Sequence, residues 1–228
     1  MQITCNCVQC ELKTVFFNSF QENQLEMFCI QKKETNYRKG DIIIREGDEI
    51  TDFIYLKSGL VKLHRNTRPD RDQIIIIALP FDFISLLSVF STDRYNYSVT
   101  AIEDSVVCSI PMSSIKKYAM ENGKFSFNLI ERMSKASDKI ILESLAIRSK
   151  YLKGKVAYLL LKFSREIYRK PVFELPLSRR EIAEYIGMTT ENVIRTLSEF
   201  RNDRLIRING KEIEIAHEEA LSKIADFG

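Results

Sequence analysis

Residues 177–200, LSRREIAEYIGMTTENVIRTLSEF, leave the chain little choice of local fold. Ser178 stands three residues before Glu181, the spacing at which side chain and backbone cap a helix start reciprocally. A helix is therefore expected from Arg179, with Ile182, Ala183 and Ile186 on its inner stripe. Gly187 ends it, because glycine enters the left-handed turn without steric cost. Thr189 or Thr190 can cap a second helix whose Val193, Leu197 and Phe200 face inward. Two short helices joined by a glycine turn predict a helix-turn-helix. Downstream, Asn209-Gly210 in RLIRINGKEIEI predicts a two-residue hairpin, which would add a wing.

The second helix leaves Thr190, Glu191, Ile194 and Arg195 on its outward N-terminal side. That side enters the major groove of DNA in such units. Arginine can hold guanine through two hydrogen bonds, glutamate can accept from the cytosine amino group, and Ile194 can only touch a thymine methyl. Ser178, Arg179 and Thr189, at the two helix starts, are candidates for phosphate contacts. A Glu-Arg pair four apart is also the spacing of an ordinary surface ion pair. The wing and a basic approach segment tip the balance: residues 148–170 hold eight Lys or Arg and one acid, a local charge of +7. That excess matters because the formal net charge of the whole chain is only +3.

Upstream, the pattern changes twice. Between about residues 37 and 110, short β-branched runs alternate with Gly40, Gly47 and Gly59, predicting a small β-sandwich or roll. After Pro111 the pattern turns helical. Ile130, Met133, Ser137, Ile140, Ser144 and Ile147 fall at alternating steps of three and four, the spacing of a seam between two helices. The resulting fold class is α+β. Its expected parts are a cysteine-containing segment (1–20), a β-roll sensor domain (21–112), a long dimerisation helix (113–148) and a winged helix-turn-helix (149–228).

Composition excludes other classes. IIIIALPFDFI is interrupted by Pro80 and Asp82 and is too short to span a bilayer, so no membrane partner is expected. The N-terminus lacks a charged start followed by an apolar stretch, and five cysteines are an odd number for a disulfide framework. A cytoplasmic location is the expectation. An enzyme on a β-roll is the alternative class, but no acid-base constellation, glycine-rich phosphate loop or histidine-rich metal set is visible.

The order of parts resembles the cyclic-AMP receptor protein and fumarate-nitrate regulator family of bacterial transcription factors. KGDIIIREGD and DFIYLKSGLVKL are similar to its cyclic-nucleotide-binding-like jelly roll, and LSRREIAEYIGMTTENVIRTLSEFRNDRLI to its DNA-binding signature. The resemblance covers residues 20 to 220. It implies a homodimer, joined through the long helix, that reads an inverted repeat in double-stranded DNA and works with RNA polymerase. It also implies that Glu191 and Arg195 read a G·C pair in each half-site, while Thr190 and Ile194 set the remaining sequence.

The resemblance also bears on the signal. Family members that bind cyclic nucleotide grip the ribose with a glutamate after glycine and neutralise the phosphate with an arginine before serine. Here FDFISLLSVFSTDRYNYSVTA has Ser85-Leu86 in the first place and Tyr95, Asn96 and Tyr97 around the second, with Arg94 displaced. The polar pair that meets adenine corresponds to Ile140 and Ile141. Cyclic AMP is therefore not the expected effector. The oxygen-sensing branch holds a [4Fe-4S] cluster on four cysteines, and Cys5, Cys7, Cys10 and Cys108 are the corresponding candidates. Cys5 and Cys7 are one residue apart and Phe16 stands near the branch's later cysteine, so the ligand spacing is only partly reproduced. Zinc on the same thiolates and unligated thiols stay open, as does a constitutive regulator with no effector.

Overall fold

The structure is a computed structural model that describes residues 31–68 and 71–228. It comprises two compact units.

The first unit holds most of the β-roll. Seven strands, β1 (Lys33–Tyr37), β2 (Ile42–Ile44), β3 (Asp52–Ser58), β4 (Val61–Arg68), β5 (Arg71–Ala78), β6 (Ser98–Ala101) and β7 (Ser105–Pro111), form two antiparallel sheets. Their orders are β1-β7-β3 and β2-β6-β4-β5. Alternation along β7 buries Ser105, Val107, Cys108 and Ile110. The turn between β3 and β4 needs Gly59. Its φ is +89°, and a Cβ there would lie 2.4 Å from the Asp104 carbonyl oxygen.

Two helices follow, α1 (Met112–Glu121) and α2 (Gly123–Arg148). The helical run read as continuous over 113–148 is thus broken. Asn122 is extended, at φ −132° and ψ 100°, and its side-chain oxygen accepts from the Phe125 amide at 3.1 Å. It caps the new helix as short polar residues do. The break lets both helices bury apolar residues against one sheet: Met112 and Ile115 from α1, Phe125 and Leu129 from α2, packed with Phe53, Tyr55, Cys108 and Ile110. At 26 residues, α2 is about 39 Å long.

Along α2, Ile130 and Ser137 are exposed, Met133, Ile140 and Ser144 are half-buried, and Ile147 is buried within the chain. Ile147 is therefore withdrawn from the seam read off the sequence, since its side chain already has an intramolecular partner surface. Phe127, Ile141, Leu142 and Leu145 are exposed instead, adding apolar area beside Ile130.

The second unit carries α3 (Leu152–Lys162), a short π-helical turn (Phe163–Ile167), β8 (Val172–Glu174), α4 (Arg179–Ile186), α5 (Thr190–Asn202), β9 (Ile206–Asn209), β10 (Glu212–Ile215) and α6 (Glu218–Phe227). Its sheet runs β8-β10-β9. Asn209 pairs with Glu212, so the wing turn is Gly210-Lys211, one residue later than read from the sequence. Glycine takes the first loop position with φ +61°, as the favoured hairpin turns require. Among the described residues, no helix is long and apolar enough to cross a membrane.

Candidate nucleic-acid interface

The helix pair forms as its local chemistry dictates. The Ser178 hydroxyl accepts from the Glu181 amide at 3.2 Å, and the Glu181 carboxylate accepts from the Ser178 amide at 2.8 Å. Gly187 closes α4 in the left-handed region, with φ 68° and ψ 45°. Thr189, rather than Thr190, caps α5 by accepting from the Asn192 amide at 3.3 Å. Ile182, Ala183 and Ile186 are buried on α4, and Val193, Leu197 and Phe200 on α5. Burial of those faces fixes which residues of α5 must point away.

Glu191, Ile194 and Arg195 are exposed and Thr190 is half-exposed, all on the outward side of α5. The Glu191 carboxyl is held below the usual carboxylate range by its own backbone N–H and by the Thr189 hydroxyl. A carboxylate so held is acceptor-only, suited to an amino group and unsuited to phosphate. Arg195 Nη2 donates to the Asn192 side-chain oxygen at 3.1 Å. Its Nε lies 3.9 Å from Glu199, whose other oxygen accepts from Lys153 at 2.9 Å. Ser178 and Thr189 are exposed at the helix starts, and Arg179 is half-buried, its guanidinium pKa lowered by burial. Thr190, Glu191, Ile194 and Arg195 thus lie within the first two turns of α5, and Ser178 and Thr189 cap the two helix starts.

Sequence reasoning missed what braces this set. Glu143 of α2 is 7 % exposed; it accepts a hydrogen bond from the Tyr185 hydroxyl of α4 and is ion-paired with Lys162 of α3, itself 7 % exposed. A buried ion pair is tolerated only when geometry and additional hydrogen bonds satisfy it, and the tyrosine supplies one. Three helices are held at one point. Glu143 falls among the acids and lysines of a long helix, where nothing in the local pattern marks it as buried. Asn192, Glu199 and Lys153 were missed too, although the four-residue step from Arg195 to Glu199 was a readable signal.

The place where a cyclic nucleotide would be gripped is built differently. Ser85 is buried, and its hydroxyl accepts from the Ile54 amide at 2.8 Å. Leu86, 2 % exposed, packs with Phe53, Tyr55, Val89 and Phe125. Arg94 donates to the Gly47 carbonyl at 2.8 Å, and the Tyr97 hydroxyl to the Ile84 carbonyl at 3.0 Å. Ile140 is half-buried and Ile141 exposed. Ser85, Leu86 and Tyr97 are thus engaged in the packing of the β-roll itself.

Of the four candidate cluster ligands, Cys5, Cys7 and Cys10 lie outside the described residues. Cys108 is a core residue on β7, and burial pushes its thiol up to about 11. A cluster or zinc ligand must be a thiolate, so a metal at Cys108 would have to displace the proton that this packing favours. Among the described residues, no three His, Cys, Asp or Glu side chains are grouped to hold a metal.

Comparison with known proteins agrees with this layout. Residues 34–122 match the cyclic nucleotide-binding domain family, and residues 154–224 match the Crp-like helix-turn-helix domain family. The chain is 26 % identical to the transcriptional activator protein FnrA of Stutzerimonas stutzeri over 200 residues, covering 86 % of this chain and 82 % of that protein. It is 24 % identical to the fumarate and nitrate reduction regulatory protein of Escherichia coli over 228 residues, covering 96 % and 90 %. Among solved structures, FixK2 from Bradyrhizobium japonicum superposes with a TM-score of 0.74 at 25 % identity, covering 85 % of this chain and 96 % of that one. A Crp/Fnr-family transcriptional regulator from Thermus thermophilus shares the fold, with a TM-score of 0.69 at 18 % identity over 85 % and 98 % of the two chains. With both domains matched in the same order, and with relatives that are transcription regulators rather than enzymes, the chain belongs to the Crp/Fnr family of DNA-binding transcription regulators.

Proposed function

We propose that the chain acts as a homodimer reading an inverted repeat with a G·C pair in each half-site, and that its β-roll responds to something other than a cyclic nucleotide. The observation that carries the DNA reading is the outward pairing of Glu191 and Arg195 on α5, one turn apart, above a fully buried inner face. Arginine to guanine and glutamate to cytosine together describe one G·C pair. The dimer is supported by the exposed apolar residues Phe127, Ile130, Ile141 and Leu145 along α2, a single-chain surface of a kind that marks a protein interface. The signal reading is supported by Leu86 and Ser85, which offer no carboxylate to a ribose, and by Arg94, which is bonded to the Gly47 carbonyl.

The test is selection from a pool of random duplexes with the full-length protein. An inverted repeat with a G·C pair in each half is expected, and its recovery should be unchanged by added cyclic AMP. A half-site returned singly, or no sequence preference, would sink the reading. Sedimentation gives a second check: Ile130→Glu combined with Ile141→Glu should convert dimer to monomer at micromolar protein.

A further inference from the structure

The outward face of α5 bears one more acid than the base-reading pair needs. Glu191, Arg195 and Glu199 follow one another at steps of four, so they form a single stripe. Arg195 lies between two acceptors on its own helix: Asn192, at 3.1 Å from Nη2, and Glu199, at 3.9 Å from Nε. Glu199 is itself fixed from another helix, since its second oxygen accepts from Lys153 in the first turn of α3 at 2.9 Å. The lysine holds the Glu199 carboxyl below the usual carboxylate range, and the carboxylate raises the lysine in return. All of these groups are solvent-exposed to some degree, and exposed ion pairs contribute little to stability. Their consequence must be sought in what Arg195 is free to do.

Resting on the DNA reading above, we infer that Glu199, anchored by Lys153, is a positioning residue that sets the base-pair discrimination of Arg195. A long arginine side chain has many rotamers and pairs with any phosphate it can reach. Held between Asn192 and Glu199, the guanidinium stays along the helix surface, where it meets the base edge, and away from the flanking backbone. The carboxylate acts a second way. On a duplex without the matching guanine, Arg195 leaves for a phosphate and Glu199 is left facing the same backbone, where like charges repel. Glu199 therefore weakens binding to wrong sequences more than to the right one, which is specificity by exclusion.

Two variants of the full chain separate this from a bulk charge effect. Glu199→Gln and Lys153→Met change the net charge in opposite directions. If charge alone mattered, the first would tighten and the second would loosen binding to every duplex by the same factor, leaving the ratio between duplexes unchanged. If Glu199 positions Arg195, both lower the ratio of affinity for the selected duplex to that for the same duplex with its G·C pairs replaced, by about fivefold or more. Glu199→Gln should also bind random duplex more tightly, with the salt dependence steeper by about one ion. Fluorescence anisotropy over a salt series reads all of these, and the melting temperatures should match the wild type. Glu199→Asp, which keeps the charge on a shorter stem, should recover part of the ratio. A wild type that discriminates while both variants keep its ratio overturns this inference alone. A wild type without sequence preference overturns the DNA reading, and this inference with it.

Discussion

Two stretches of the molecule occupy places where a regulator of this family meets a ligand, and they are finished in opposite ways. In the β-roll, the stretch 84–97 sends its key side chains inward: Leu86 into the aromatic core, the Ser85 hydroxyl onto the backbone of Ile54, and the Tyr97 hydroxyl onto the carbonyl of Ile84. In the helix pair, Glu191, Ile194 and Arg195 are turned outward, over an inner face that buries Val193, Leu197 and Phe200. The difference teaches that a domain match reports the scaffold, while the direction of a few side chains reports the ligand. The β-roll has the sheets of a cyclic nucleotide-binding domain, with Ser85 and Leu86 buried in its core. The helix pair has the scaffold of a Crp-like helix-turn-helix, with Glu191 and Arg195 exposed on it.

The largest effect is expected from Leu86→Glu, which places a carboxylate where the family's ribose contact would be. If this position is core, the charge is buried among Phe53, Tyr55 and Phe125 without a partner, and the β-roll should lose about 4 kcal/mol or more. Urea denaturation would show it. A variant of unchanged stability that binds cyclic AMP would mean that the cassette is a working site after all.

Glu143→Ala tests whether inward polar groups in the second unit are equally structural. It leaves Lys162 buried without its partner and should cost about 3 kcal/mol. Adding Lys162→Met should recover much of that loss, because the stranded charge is then gone. A loss that is no smaller in the double variant would show that the carboxylate matters through Tyr185 instead.

Arg195→Ala sharpens the outward side. It should cost about 1–3 kcal/mol on the selected duplex, abolish the preference at the G·C pair, and leave the melting temperature unchanged. Arg179→Ala should weaken all duplexes about equally, because a phosphate contact carries no base information. Competition binding with duplexes that differ at that pair distinguishes the two. An Arg195→Ala protein with intact preference would place base reading elsewhere.

The smallest effect is in the core of the β-roll. Burial raises the Cys108 thiol from its ordinary value of 9.0 to about 11. A raised thiol pKa means that the folded chain holds its proton longer than the unfolded chain does. The stabilisation is therefore complete below pH 9, and it declines as pH rises from about 9 to about 11. Subtracting the pH-stability curve of Cys108→Ala from that of the wild type should show this decline. A flat difference would mean that the thiol is open to solvent.

Much of the helix pair was legible because its rules are local. A capping box spans four residues, a left-handed glycine acts on the turn that it closes, and the inner stripe repeats every three or four positions, so Ser178, Gly187, Val193, Leu197 and Phe200 could be placed from spacing alone. The wing was found but its turn was misplaced by one residue, since strand register is settled by pairing, here Asn209 with Glu212. The break at Asn122 was missed for a similar reason. Asn122-Gly123 permits a helix to stop, and only the shared core of α1, α2 and the sheet requires it. Likewise Ile147 fits a seam by spacing, yet it is buried within its own chain. Glu143 with Lys162 and Tyr185, and Glu199 with Lys153, join residues 19 to 46 positions apart. Sequence periodicity decided which face of each helix is apolar. Which acid on the other face becomes buried or paired depends on the helix brought against it, and that is a property of the tertiary packing alone.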